Sequence, residues 1–222
     1  MATQFMALTR RQIKERECFL EMSKIEESLH SQGFSNIAGI DEAGRGPLAG
    51  PVYAAAVILN PKDAIYGLND SKKISEKRRL ELEIEIKNRA LAWAVTRIDN
   101  EAIDEINILE ATKQAMTLAV KNLKIQADYL LIDSVVLDGF DNASSITKGD
   151  ANSNSIAAAS ILAKTGRDRE MIELDGLYPE YGFKQHKGYG TKLHYEALDK
   201  YGPCPIHRET FLKSWYARRG KN

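Results

Sequence analysis

Cysteine is scarce in this chain, and long apolar segments are lacking. The two cysteines among 222 residues, Cys18 and Cys204, show neither the paired spacing of a zinc site nor that of a redox motif. Two thiols in a chain of this length are typical of a reducing compartment, so we expect a cytoplasmic protein. The longest apolar run, 52–59, is far below the roughly 20 residues of a membrane span. The N-terminus also lacks the pattern of a secretory signal.

Net charge is also lacking, because 31 Lys and Arg residues balance 31 Asp and Glu residues. A protein held to nucleic acid by its total charge is therefore not expected. The charges are nevertheless unevenly distributed, since residues 184–222 contain nine basic and three acidic side chains. Basic surface of this kind is compatible with local phosphate binding, and solvated helix faces explain it equally well.

Hydrophobic periodicity predicts an α/β fold with a mixed sheet. Strands are predicted at 36–41, 51–59, 91–98, 129–133 and 143–148. Helices are predicted at 7–32, 107–123, 153–169 and 191–201, and a further helix is predicted to start from a cap at residue 75. Residues 171–177 extend or follow the helix at 153–169. We interpret residues 1–35 as an N-terminal helical extension and residues 36–222 as one core domain with a helical C-terminal portion.

Four acidic residues lie at or just beyond predicted strand ends. Asp41 and Glu42 close the first strand, Asp133 closes the fourth, and Asp150 follows the fifth. Ionised carboxylates are costly to bury unless they are paired or bind metal. Each acid alone is more typical of a cap, a turn or a salt bridge, but the set indicates a site for Mg²⁺ or Mn²⁺. Because neighbours on a strand face opposite ways, Asp41 and Glu42 can share a site only where the strand ends or bulges.

A glycine-rich turn at 44–50 follows the first two acids. Its glycines permit close approach of backbone N–H groups to a ligand, and Arg45 is held where its guanidinium can face a phosphate or sugar. A tight connection with a solvated arginine is the alternative interpretation. A P-loop is excluded, because no Gly-Lys-Ser/Thr follows and the next element is a strand.

Three further positions fit phosphate or base contacts. Lys72 and Lys73 precede a predicted helix start, where they are suited to positioning phosphates, although surface lysines are common there. Tyr189 lies between two glycines and is able to stack on a base or sugar, or to pack within the fold. The pair His207 and Arg208 fits either a phosphate contact or a structural cap.

Taken together, these motifs resemble the ribonuclease HII family. Residues 41–52, DEAGRGPLAGPV, closely resemble its opening signature. Five further blocks follow in the family's order, and the resemblance spans roughly residues 36–215. They are GLNDSKK at 67–73, LID at 131–133, KGD at 148–150, IAAASILAK at 156–164 with RD at 167–168, and YGFKQHKGY at 181–189.

The resemblance implies a ribonuclease H-like fold, with a five-stranded mixed sheet flanked by helices. It implies a type 2 ribonuclease H that cuts the RNA strand of RNA–DNA hybrids. It also implies cleavage 5′ of ribonucleotides embedded in duplex DNA, leaving a 3′-hydroxyl and a 5′-phosphate, by two-metal-ion catalysis. We expect a monomer without a membrane partner.

The resemblance also assigns roles to residues. It makes Asp41, Glu42, Asp133 and Asp150 the catalytic, metal-binding carboxylates, with Mg²⁺ or Mn²⁺ as the cofactor. It assigns recognition of the ribose 2′-hydroxyl to Gly44, Arg45 and Gly46, backbone contacts to Lys72 and Lys73, and packing on the next deoxyribose to Tyr189.

Two features depart from the family pattern. Ser134 follows Asp133 where the family usually has glycine, so a slight shift of the strand end is expected. The N-terminal extension lies outside the shared core, and both auxiliary duplex binding and simple packing are open for it. Two rival functions are a non-catalytic hybrid-binding module and another nuclease of the same fold that lacks the turn at 44–46.

Overall fold

The computed structural model describes residues 8–220 and centres on one five-stranded sheet. Its strands are β1 (Ile37–Ala43), β2 (Val52–Ile58), β3 (Ala92–Ile98), β4 (Tyr129–Asp133) and β5 (Ala143–Ile146). The spatial order is β3-β2-β1-β4-β5. The pairs β1–β2 and β2–β3 are antiparallel, whereas β1–β4 and β4–β5 are parallel. The mixed sheet predicted from the sequence is therefore confirmed.

Helices cover both faces of the sheet and form the C-terminal portion. In chain order they are α1 (Arg10–Met22), α2 (Lys24–Ser31), α3 (Glu76–Arg89), α4 (Asn100–Ile106), α5 (Ile108–Lys121), α6 (Gly149–Asn152), α7 (Asn154–Leu177), α8 (Phe183–His186), α9 (Lys192–Tyr201) and α10 (Lys213–Arg219). The predicted helix at 153–177 is one continuous helix. The short helices α4, α8 and α10 were not predicted. No helix in the described range has the length and hydropathy needed to cross a bilayer.

Small side chains on the central strands allow helices to approach both faces. In β2, Ala55 and Val57 pack with α7 and α3, whereas Ala54 and Ala56 pack with α5 on the other face. In β1, Gly39 permits a still closer approach, since a Cβ there would lie 2.0 Å from the backbone carbon of Ser155. The first turn of α7 therefore rests directly on β1, two residues before Asp41.

The N-terminal extension differs from the single helix predicted at 7–32, of which residue 7 lies outside the described range. The helix breaks at Ser23, whose hydroxyl donates to the carbonyl of Phe19 at 2.8 Å. Back-bonding of this kind bends helices. Met22 is buried against the same cluster as β2 and α7, and Leu29 packs with Ile37. The domain boundary at residue 35 stays a prediction.

The prediction that the first strand ends at Asp41 was wrong. The strand β1 continues to Ala43, so Asp41 and Glu42 lie within it and pair regularly with Ala55 and Ala54 of β2. The antiparallel neighbour extends the strand beyond the point where its parallel partner β4 ends. Asp150 follows β5, as predicted, and lies in the short helix α6, which was not predicted.

Ser134 takes up the sharp turn after β4. Its φ of 51° is in the left-handed region, and its N–H donates to the carbonyl of Ile146 at 3.2 Å. Left-handed backbone costs a non-glycine residue about 1–2 kcal/mol. The strand end is thus kept in place, at the cost of local backbone strain.

We expect Ser134→Gly to raise the free energy of unfolding by about 0.5 kcal/mol, because the relief of strain exceeds the extra chain entropy of glycine. Urea unfolding monitored by circular dichroism measures this change. Ser134→Ala is the control, because it removes the hydroxyl and keeps the strain. A glycine variant less stable than the alanine variant would contradict the prediction.

Candidate active site

Three of the four predicted carboxylates converge at one edge of the sheet. The parallel ladder between β1 and β4 ends at the pair Ile40 and Ile132, so Asp41 and Asp133 occupy the next positions on neighbouring strands. The N–H of Gly149 donates to Oδ1 of Asp133 at 2.6 Å, which fixes the start of α6 beside β4. Asp150 is the next residue of that helix.

Burial and then neighbouring charges raise the carboxyl pKa values of Asp41, Glu42 and Asp150. The pKa of Asp41, which is only 5% exposed, lies well above its ordinary value because of desolvation and then the charges of Glu42 and Asp133. Burial also raises the pKa of Glu42, partly offset by Arg45. Asp41 therefore lies within electrostatic range of the other three acids, although Asp41 and Glu42 lie in regular strand.

The donor set fits a divalent cation. Oε2 of Glu42 is buried without a hydrogen-bond partner among the described residues, and Oδ1 of Asp41 accepts only from the N–H of Glu42, at 2.6 Å. Carboxylate oxygens are the ligands preferred by Mg²⁺ and Mn²⁺. Within residues 8–220, no three acidic, His or Cys side chains form a ready coordination shell. The acids are thus neighbours rather than a preformed cage.

The loop before α3 contributes charges of both signs. Burial raises the pKa of Asp150, and the carboxylate of Asp70 is the next largest cause. Lys72 lies near enough to lower the pKa values of Asp150 and Glu42 in part. Lys73 instead points outward and pairs with Asp70 at 3.5 Å. Both lysines were predicted from the sequence as site residues, but Asp70 was not, although the motif GLNDSKK at 67–73 contains it.

Two buried arginines fix the glycine-rich turn. Arg208 donates to the carbonyls of Gly44 at 2.7 Å, Arg45 at 3.0 Å and Gly50 at 2.9 Å. Arg167 donates to the carbonyls of residues 49, 51 and 187 at 2.9–3.1 Å. A Cβ on Gly44 would lie 2.0 Å from Nε of Arg167, so only glycine fits there. For Arg208, the sequence had left a phosphate contact and a structural cap open; the structure shows a structural role.

This arrangement turns the peptide groups of the loop in a defined direction. Arg208 binds the carbonyls of Gly44 and Arg45 from the interior of the protein. Since the N–H of a peptide group points away from its carbonyl, the N–H groups of Arg45 and Gly46 face outward. Nothing in the described range accepts a hydrogen bond from the N–H of Arg45 or Gly46. The Arg45 guanidinium lies 3.7 Å from the carboxylate of Glu42 and is 40% exposed. Unused donors thus stand beside the carboxylates.

Tyr189 completes the exposed surface next to this turn. Its side chain is 43% exposed, and a Cβ on Gly46 would lie 3.6 Å from its ring. Its carbonyl accepts from Nδ1 of His194 at 3.0 Å, and its N–H donates to the carbonyl of His186 at 2.9 Å. The tyrosine backbone is therefore held by buried histidines while the ring faces outward.

The histidines form a neutral chain behind Tyr189. Nε2 of His194 lies 3.0 Å from Nε2 of His207, and the N–H of Cys204 donates to Nδ1 of His207 at 2.9 Å. One consistent set of tautomers has His207 donating to His194, which donates to Tyr189. Burial lowers the pKa of His194 to about 4, so the chain stays uncharged near neutral pH.

Comparison with known proteins shows the family to which the chain belongs. The sequence model of the family "Ribonuclease HII" matches residues 38–217. The chain is 56% identical over 203 residues to the ribonuclease HII of Acetivibrio thermocellus, covering 91% of this chain and 79% of the relative. The chain belongs to the ribonuclease HII family.

Solved structures support the same fold. The crystal structure of ribonuclease H2 from Pyrococcus horikoshii superposes with a TM-score of 0.71 at 27% identity, covering 85% of this chain and all of that one (100%). Bst-RNase HIII in complex with Mn²⁺ has a TM-score of 0.60 at 18% identity, covering 87% of this chain and 73% of that one. The molecule is thus a type 2 ribonuclease H, a divalent-metal-dependent nuclease of RNA–DNA hybrids.

We expect Asp41→Asn to abolish cleavage by this ribonuclease HII while raising its melting temperature in EDTA at pH 8. The raised folded-state pKa means that ionised Asp41 destabilises the metal-free fold as the pH rises through that value. About 1 kcal/mol corresponds to 2–4 °C in a chain of this size, so a rise of at least about 2 °C is expected. Calorimetry measures the change.

The increase in melting temperature caused by Asp41→Asn should become smaller as the pH is lowered, because the wild-type carboxyl then becomes protonated in the folded state. Asp138→Asn, on an 88% exposed carboxylate, is the control and should leave the melting temperature almost unchanged. Near-normal cleavage by Asp41→Asn, or a lower melting temperature in EDTA, would contradict the assignment.

We expect Arg208→Lys to lower the free energy of unfolding by about 2–4 kcal/mol, because a lysine cannot satisfy three buried carbonyls in this geometry. Cleavage at a single embedded ribonucleotide should fall more than cleavage of a long hybrid, since the turn would lose its fixed orientation. Urea unfolding and a comparison of the two substrates measure both effects. Arg97→Lys, on a 52% exposed side chain, is the control and should change stability by no more than about 0.5 kcal/mol.

Proposed function

We propose that this ribonuclease HII cuts 5′ of ribonucleotides embedded in duplex DNA, including single ones, and leaves a 3′-hydroxyl and a 5′-phosphate. The observation that carries the proposal is the juxtaposition of the turn at 44–46 with the carboxylates, with Arg45 lying 3.7 Å from Glu42. Recognition of a single ribose next to the reacting phosphate requires the turn to lie beside the carboxylates.

The turn supplies the chemistry for recognising one ribose. The free N–H groups of Arg45 and Gly46 are donors suited to the 2′-hydroxyl, which is the group that distinguishes RNA from DNA. The exposed ring of Tyr189 lies against Gly46 and is placed to pack on the sugar that follows. This arrangement favours substrates in which a ribonucleotide is followed by a deoxyribonucleotide.

Asp41, Glu42, Asp133 and Asp150 would hold the metal, and Mg²⁺ or Mn²⁺ suits their oxygens. Two such ions, when bound, supply an activated water and stabilise the charge that develops on the leaving oxygen. Asp41 would be the central carboxylate of this set, because it is buried and each of the other three acids raises its pKa. Lys72 contributes positive charge beside the acids and is suited to hold a backbone phosphate.

We infer a cytoplasmic location from the two cysteines, Cys18 and Cys204, which are both free thiols in the fold. The monomeric state stays a prediction.

The test compares four duplexes of one sequence, containing one ribonucleotide, four consecutive ribonucleotides, a full RNA strand or only DNA, each with Mg²⁺ or with EDTA. We expect cleavage of the first three with Mg²⁺, none of the all-DNA duplex and none with EDTA. From the single-ribonucleotide duplex, the upstream fragment should end in a deoxyribonucleotide with a free 3′-hydroxyl. Extension of this fragment by a polymerase tests this.

Each alternative gives a different result in the same assay. An enzyme of the type 1 class would cut the duplex with four ribonucleotides but not the one with a single ribonucleotide. A DNA-cutting relative of the fold would act on the all-DNA duplex. Binding of the hybrid without cleavage in Mg²⁺ would indicate a non-catalytic module. Any of these results would overturn the proposal.

A further inference from the structure

The N-terminal extension binds the junction between α6 and α7 through one buried carboxylate. Oε1 of Glu26 accepts hydrogen bonds from the hydroxyl of Ser153 at 2.7 Å, the hydroxyl of Ser155 at 2.9 Å and the N–H of Ser155 at 3.0 Å. All three residues are buried, with Glu26 9% exposed. Three donors from one turn of chain therefore converge on a single oxygen.

A second contact strengthens this attachment. The side-chain amide of Asn154 donates to the carbonyl of Phe19 at 2.9 Å and contacts the hydroxyl of Ser23 at 3.0 Å. The Phe19 carbonyl and the Ser23 hydroxyl, at the break between α1 and α2, thus bind the first residue of α7. Residues 153–155 are bound to the extension at every position.

Glu26 acts as a cap supplied by another helix. The unpaired N–H groups at the start of α7, a helix of 24 residues, carry the positive end of its dipole. Ser153 is the N-cap residue, and its hydroxyl accepts from the N–H of Ile156 at 3.2 Å while it donates to Glu26. The carboxylate charge is therefore placed where it stabilises the helix start.

The helix start held by Glu26 touches the elements that carry the carboxylates. Ser155 rests on Gly39 of β1, two residues from Asp41. The preceding helix α6 contains Asp150, and its first residue donates to Asp133 through the N–H of Gly149. A displacement of the α7 start would therefore move three of the four acids relative to one another.

Glu26 also has a cost that folding alone does not explain. Its second oxygen, Oε2, is buried without a hydrogen-bond partner within residues 8–220. A buried carboxylate with an unsatisfied oxygen lowers stability, and such exceptions are expected where a residue serves function. Simple packing of the extension explains the cap on α7 but not this second oxygen, and auxiliary duplex binding explains neither.

We propose that Glu26 is a positioning residue for the metal-binding carboxylates, so that the extension over residues 10–31 is a part of the active site. The inference rests on the proposed function for its catalytic readout. It acts through the start of α7: Glu26 fixes residues 153–155, and these fix the spacing of Asp41, Asp133 and Asp150.

The test compares Glu26→Gln and Glu26→Ala with Glu27→Gln, an exposed neighbour on the same helix. Substitution of groups that orient metal ligands typically weakens metal affinity by about 10–100-fold. We expect Glu26→Ala to raise the Mn²⁺ dissociation constant, measured by titration calorimetry without substrate, by about tenfold or more. Glu26→Gln, which keeps an acceptor oxygen, should give about a threefold rise, and Glu27→Gln none.

Cleavage of the single-ribonucleotide duplex gives an independent readout. The Mg²⁺ concentration for half-maximal activity should rise in the same order, whereas kcat at saturating Mg²⁺ should recover to within about twofold, in keeping with a role through metal affinity. The KM for the duplex at saturating Mg²⁺ should not change, since Glu26 does not face the substrate surface.

A purely structural role gives a different pattern. The proposal is overturned if the Glu26 variants melt at lower temperature while their Mn²⁺ affinity equals that of Glu27→Gln. If Glu26→Ala does not fold, Glu26→Gln and Ser155→Ala, which removes one of the three donors, decide the same question. The Mn²⁺ titration needs no nucleic acid, so it tests this inference even if wild-type protein does not cut the single-ribonucleotide duplex.

Discussion

The repulsion among buried carboxylates at the end of β1 is the constraint on which the rest of the structure depends. Asp41 is almost fully buried, and the charges of Glu42, Asp133 and Asp150 all raise its pKa. Like charges in a poorly solvated place separate unless the backbone that carries them is held firmly. The surrounding fold supplies this rigidity through close packing and through buried hydrogen bonds to charged side chains.

Three buried charged side chains hold two segments beside the site, the glycine-rich turn and the start of α7. Arg167 and Arg208 bind carbonyls of the glycine-rich turn, and Glu26 binds N–H and hydroxyl groups at the start of α7. Each uses several hydrogen bonds from one planar group, which fixes direction as well as distance. The site is therefore held by ionic groups that never need to touch a substrate.

Much of the fold was predictable, because its signals are local. The apolar strands, the acids near their ends and the helix of 24 residues all follow from short patterns. The end of β1 was placed too early because pairing with β2, a tertiary effect, extends the strand through Glu42 to Ala43. At Ser134 the sequence predicted only a slight shift of the strand end, and the left-handed turn found there was not predicted.

The carboxylates of the site were predictable from the sequence, whereas the buried charged residues that hold the surrounding backbone were less so. Asp41, Glu42 and Asp133 stood out because acids are rare beside buried strands. The sequence analysis noted Arg208 and the RD motif that contains Arg167, but the roles of Glu26, Arg167 and Arg208 were not predictable. Each of them hydrogen-bonds residues more than a hundred positions away along the chain. A buried Glu in a charged helix looks like any solvated Glu until the fold shows its partners.

The contact between Arg208 and Arg45 spans 163 residues of sequence. Contacts of such separation form late, because a long loop must close before they bring any gain. During synthesis, the segment that orients the glycine-rich turn emerges from the ribosome long after the turn itself. Arg208 therefore cannot fix the orientation of the glycine-rich turn until nearly the whole chain has been synthesised.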